Sequence, residues 1–171
     1  LLDWLNTYTF PCESQFADKA HADEVADIFI KELLRNGTTT ALVFGSVHPQ
    51  SVNSFFEAAE QLDLRMIAGK VMMDRNAPDY LTDTAESSYI ESKALIERWH
   101  GKGRLHYAVT PRFAPTSTPE QLTLAGQLLS EYPDLYMQTH ISENLKEVEW
   151  VKELFPERKG YLDVYDHYQL L

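Results

Sequence analysis

Short apolar, β-branched runs alternate with longer amphipathic stretches along most of this chain, and that alternation limits its fold more than any other feature. Thr38 to Phe44, Leu64 to Val71, Leu105 to Val109 and Leu135 to Thr139 read as strands. The first is apolar enough to predict burial on both faces. Between the strands the apolar residues take the helical period. Ala22, Val25, Ala26, Phe29 and Leu33 line one face of a helix over Ala20 to Arg35, stopped by Asn36-Gly37. Val52, Phe55, Phe56, Ala59 and Leu62 do the same over Ser51 to Leu62.

A third helix ends near His100, with Asp83 and Glu86 expected as its capping box. Thr118, Pro119 and Gln121 start a fourth, and a fifth runs from about Asn144 to Phe155, ahead of Pro156. Residues 1 to 18 read as a short helix and loop, and the tail from Tyr161 as helical. Strands alternating with helices specify a parallel sheet of right-handed βαβ units. No phosphate-binding glycine loop follows any strand, which leaves a nucleotide-binding reading without support. Four strands cannot close a (β/α)8 barrel of about 250 residues. The candidates are a small open α/β domain or about half of such a barrel, in either case one domain over 1–171.

Charge and composition exclude several classes. A net charge of −11 repels phosphate backbones, so no nucleic-acid partner is expected. The apolar runs are too short for a membrane span, and the start carries no basic region of a signal peptide. Cys12, the lone cysteine, cannot form an intrachain disulfide and reads as structural, which suits a reducing compartment, the cytoplasm. The chain opens on Leu1-Leu2-Asp3-Trp4-Leu5 and stops on Leu170-Leu171, apolar stretches that suit a fold interior. The expectation is an internal piece of something longer.

Chemistry concentrates at two strand ends. His140 follows the fourth strand, with Glu143 three residues on, and Gln138 shares the face of His140 because strand side chains alternate. A histidine at a strand tip beside a carboxylate suits a metal-bound water and its proton shuttle. It equally suits a buried histidine satisfied by backbone and an acid at a helix start. Thr110-Pro111-Arg112-Phe113 ends the neighbouring strand, where a guanidinium can donate to a planar substrate and Phe113 can supply a face. His48 lies on the same rim, and the long loop Met73 to Tyr80 is a candidate for lining a site. One histidine is not the three or so ligands that a catalytic zinc needs.

Gln138-Thr139-His140-Ile141-Ser142-Glu143 together with Thr110-Pro111-Arg112-Phe113 resembles the guanine deaminases, a zinc-dependent family of the amidohydrolase superfamily. Trp4-Leu5, Tyr8-Thr9-Phe10-Pro11, Asn36-Gly37-Thr38-Thr39-Thr40, Lys70-Val71-Met72-Met73-Asp74 and Val164-Tyr165-Asp166 fit the same family, in order along the chain. The resemblance implies a partial (β/α)8 barrel, strands two to five, lacking the first and last strands. It implies His140 as a ligand of one zinc ion, Glu143 as the proton shuttle, and Arg112, Phe113 and Gln138 as purine contacts. The implied reaction is hydrolysis of guanine to xanthine and ammonia, with zinc lowering the pKa of its water to about 7.

The other metal ligands and the catalytic aspartate of that family would fall outside this sequence, so the fragment alone is expected to be inactive. Another amidohydrolase acting on a related heterocycle, or a non-catalytic α/β module, are the alternatives. Open sheet edges on such a sector predict association into a homo-oligomer.

Overall fold

The computed structural model describes residues 4–171; Leu1 to Asp3, the expected start of the N-terminal helix, lie outside the described residues. Leu5–Thr9 forms a π-helical turn that runs into α1 (Phe10–Ser14) and a 3-10 turn at Gln15–Ala17. The main alternation follows: α2 (Lys19–Arg35), β1 (Thr40–Phe44), α3 (Pro49–Gln61), β2 (Arg65–Gly69), β3 (Val71–Met72), α4 (Ala85–Trp99), β4 (His106–Pro111), α5 (Pro119–Glu131), β5 (Tyr136–Met137), α6 (Leu145–Leu154) and α7 (Tyr161–His167).

Every pairing is parallel: β1 with β2, β2 and β3 with β4, and β4 with β5. Ile67 pairs with His106 and Val71 with Thr110, the same offset, so β2 and β3 are one strand interrupted at Lys70. The backbone N–H of Lys70 donates to the Tyr107 hydroxyl instead, at 3.1 Å. Each strand thus lies beside the next in sequence. A doubly wound sheet would reverse its order at a switch point. Sequential order, with α2 against α3, α3 against α4 and α4 against α5, is that of a barrel sector. The chain is α/β and forms part of a (β/α)8 barrel.

One apolar core joins the helices to the sheet, through Phe56, Met66, Trp99, Tyr107, Val109, Leu122 and Val164, all nearly inaccessible to solvent. A smaller cluster of Leu5, Phe10, Val47, Val71, Met73 and Leu81 closes the end of the sheet where the strands finish. Local chemistry sets the helix starts. Asp18 accepts from Ala20 N–H at 2.8 Å, Thr118 Oγ1 from Gln121 N–H at 3.2 Å, and Asn144 Oδ1 from Glu147 N–H at 3.0 Å.

Several expectations need correction, among them Phe29 and Leu62, placed on buried helix faces but 39% and 48% exposed. The capping box of α4 is Thr84 with Ser87, not Asp83 with Glu86. Asp83 is drawn away into an ion pair with the wholly buried Lys70. β1 is not buried on both faces: Ala41 and Val43 pack toward the helices, while Leu42, 51% exposed, points to the opposite face, which nothing among the described residues covers. β5, expected over Leu135 to Thr139 as a buried strand, keeps only Tyr136–Met137 and is partly exposed for the same reason.

Candidate active site

β4 and β5 end side by side, and their last residues build the site. The Arg112 carbonyl accepts from the backbone N–H of His140 at 3.1 Å and from the Thr139 hydroxyl at 3.3 Å. It also lies 2.8 Å from Nδ1 of His140. A carbonyl only accepts, so Nδ1 carries a proton, and in the neutral ring the lone pair is on Nε2. The ring of Phe44, 4.5 Å away between centroids, packs against the imidazole. On the far side the Tyr165 hydroxyl donates to the His140 carbonyl at 2.8 Å and accepts from Ala114 N–H at 3.0 Å. The tip is therefore held from both flanks.

Glu143 follows Ser142, whose φ of +56° turns the chain sharply into α6. Its backbone N–H donates to the buried Glu147 carboxylate at 3.2 Å, which ties the turn to the first turn of the helix. The Glu143 side chain remains exposed.

A cavity of about 300 Å³ opens at this end of the sheet, lined by His140, Glu143, Arg112, Phe113, Phe44 and Glu13 among others. Four of the five residues singled out from the sequence thus meet in one space. Gln138 is not among the lining residues. Its amide nitrogen donates to the Val43 carbonyl and to Thr110 Oγ1, both at 3.0 Å, stitching β1 to β4 on the face turned away from the helices. The Gln138 Oε1 is buried without a partner among the described residues. His48 is not a lining residue either, and stands at the start of α3, where burial and the nearby Lys70 lower its pKa.

The geometry adds residues that sequence reasoning passed over. Both Nη atoms of Arg112 donate to the Glu13 carboxylate, at 2.8 and 2.9 Å, and the Phe10 ring lies 5.2 Å from the guanidinium carbon. The Phe10-Pro11 pair was visible as a motif, but nothing local tied Glu13 to a partner 99 residues away. Tyr165 was likewise visible only as part of Val164-Tyr165-Asp166, with nothing local to tie it to His140.

The donor set bears on a metal. A histidine that commits one ring nitrogen to a carbonyl and keeps the lone pair of the other is arranged as metal-binding histidines are. Among the described residues no group of three histidine, cysteine or acidic side chains is placed to hold an ion. The chemistry of the His140 ring would suit one metal ligand.

A profile of the amidohydrolase family matches residues 1–171. The chain belongs to the amidohydrolase family. It is 65% identical to the guanine deaminase of Escherichia coli over 170 residues, which covers 99% of this chain and 39% of that protein. A solved E. coli guanine deaminase superposes with a TM-score of 0.96 at 64% identity, over 97% of this chain and 39% of that one. Guanine deaminase from C. acetobutylicum, with guanine bound in its active site, gives 0.95 at 36% identity over 99% of this chain and 41% of that one. The chain spans about two fifths of the length of the proteins it matches.

Proposed function

We propose that this chain is the strand-two-to-five sector, a single partial catalytic domain, of a zinc-dependent guanine deaminase acting in cytoplasmic purine catabolism and salvage. The observation that carries the reading is the convergence of His140, Glu143, Arg112 and Phe113 on one cavity. High identity to guanine deaminases along nearly the whole chain adds to it.

In this reading Nε2 of His140 is one ligand of a single zinc ion, its direction fixed by the Arg112 carbonyl. When bound, zinc supplies a water acidic enough to yield hydroxide near neutral pH. The Glu143 carboxylate, exposed to the cavity, would carry one proton from the attacking water to a ring nitrogen of guanine and a second, from the hydroxyl so added, to the amino group that leaves as ammonia. Arg112 donates to the purine's acceptors, and Phe113 lines the wall beside it. Gln138 contributes by holding β1 and β4 together behind the cavity. Orientation of this kind can remove several kcal/mol of a barrier.

The acidic charge argues against nucleic acid as a partner, and no described helix is long and apolar enough to cross a membrane. The test is the full-length protein incubated with guanine, with xanthine and ammonia quantified and zinc measured. Xanthine should form and Glu143→Gln should abolish it; absence of product from zinc-loaded enzyme overturns the proposal.

A further inference from the structure

A guanidinium that opens onto a cavity ordinarily draws an anion. Arg112 does not stand free to do so. Glu13 takes one N–H from each Nη in a two-point fork, and the two side chains are only 11% and 17% exposed. Phe10, itself 4% exposed, lies against the guanidinium carbon at 5.2 Å. The fork fixes rotation about the end of the side chain, and the ring restricts its tilt. Of the five N–H groups of arginine, three remain for a ligand, in a plane already chosen.

Glu13 also cancels the charge. The pair presents aligned donors with no net charge, and its carboxylate repels any anion that approaches the same donors. We infer that Glu13 is a positioning and specificity residue, which turns Arg112 from an anion receptor into a reader of neutral, planar, acceptor-bearing heterocycles. Phe10 assists by holding the plane. The inference rests on the deaminase reading above and adds to it why a neutral purine is preferred to an anionic one.

The test uses the full-length, zinc-loaded protein. Glu13→Gln removes the charge and keeps the shape, whereas Glu13→Asp keeps the charge and shortens the reach. Guanine KM and kcat are measured, together with inhibition by urate, a purine anion at neutral pH. For Glu13→Gln, KM should rise about tenfold, the worth of one charge-assisted contact, while urate inhibition tightens. The kcat should stay within about threefold, as expected when ground-state orientation is lost. Glu13→Asp should raise KM without tightening urate inhibition, and it decides the matter if Glu13→Gln does not fold.

A purely structural role would lower kcat for both variants and leave urate selectivity untouched. That pattern, or wild-type KM and urate inhibition in both variants, overturns the inference while guanine turnover by the wild type stands. Absence of turnover by the wild type overturns the deaminase reading itself, and the inference with it.

Discussion

The Tyr165 hydroxyl donates to the backbone carbonyl of His140 at 2.8 Å, joining the last helix to the tip of β5 across 25 residues. The same oxygen accepts from Ala114 N–H at 3.0 Å, and the Thr139 hydroxyl, 3.1 Å away, shares its one proton between it and the Arg112 carbonyl. Tyr165→Phe keeps the ring and leaves Ala114 N–H buried without a partner. It should cost about 2 kcal/mol in denaturant unfolding and weaken zinc binding by the full-length protein by about tenfold. Unchanged metal affinity would show that the clamp is structural only.

Lys70 is wholly buried and paired with Asp83, which also accepts from Met73 N–H at 3.2 Å and Gln121 Nε2 at 3.1 Å. Lys70→Met strands that carboxylate. The variant should lose about 3 kcal/mol or more in urea unfolding, and adding Asp83→Asn should recover part of the loss.

Gly69 lies where the strand breaks. A Cβ there would stand 1.8 Å from the Ala108 carbonyl oxygen and 2.2 Å from Thr110 Oγ1. Backbone cannot yield that far without separating β2 from β4. Gly69→Ala should destabilise by about 3 kcal/mol, read as a fall in melting temperature, and an unchanged Tm would contradict the packing described.

Burial first, and then the charge of Lys70, lower the His48 pKa from its ordinary 6.5, while Glu91 and Glu13 oppose the shift. The unfolded chain therefore binds the proton more readily than the folded one. Stability contributed by neutral His48 is present above about pH 6.5 and lost as pH falls toward the depressed folded value. Thermal unfolding across this range should show the acid loss, and His48→Gln should flatten it.

This sector expressed alone should be a dimer or larger by light scattering, because β1 and β5 both present open edges. Leu42→Lys, placing a charge on exposed β1, should shift the distribution toward monomer.

The strand and helix order was legible because periodicity is local. Ala22, Ala26, Val52, Phe56, Leu122 and Ala125 fall on buried faces as their spacing predicts. The exposure of Leu42 and Tyr136 was not legible, because burial depends on what covers each face of the sheet, and the composition of a strand does not say what does. The true cap of α4 was hidden by competition. Asp83 and Thr84 both suit an N-cap, and only the distant Lys70 decides between them. His140, Glu143, Arg112 and Phe113 could be located because each sits at a strand end. Glu13 could not, since its meaning lies in a partner brought near by the whole sector.

The pairing of each strand with its sequence neighbour has a consequence for the order of events on the ribosome. β2 emerges to find β1, β4 finds β2, and β5 finds β4, so each of these strands meets a partner already made. Glu13 is made early and its carboxylate stays unanswered until Arg112 arrives at the end of β4. Closure of that pair sets the first side of the pocket, ahead of His140 and Glu143, which line the other.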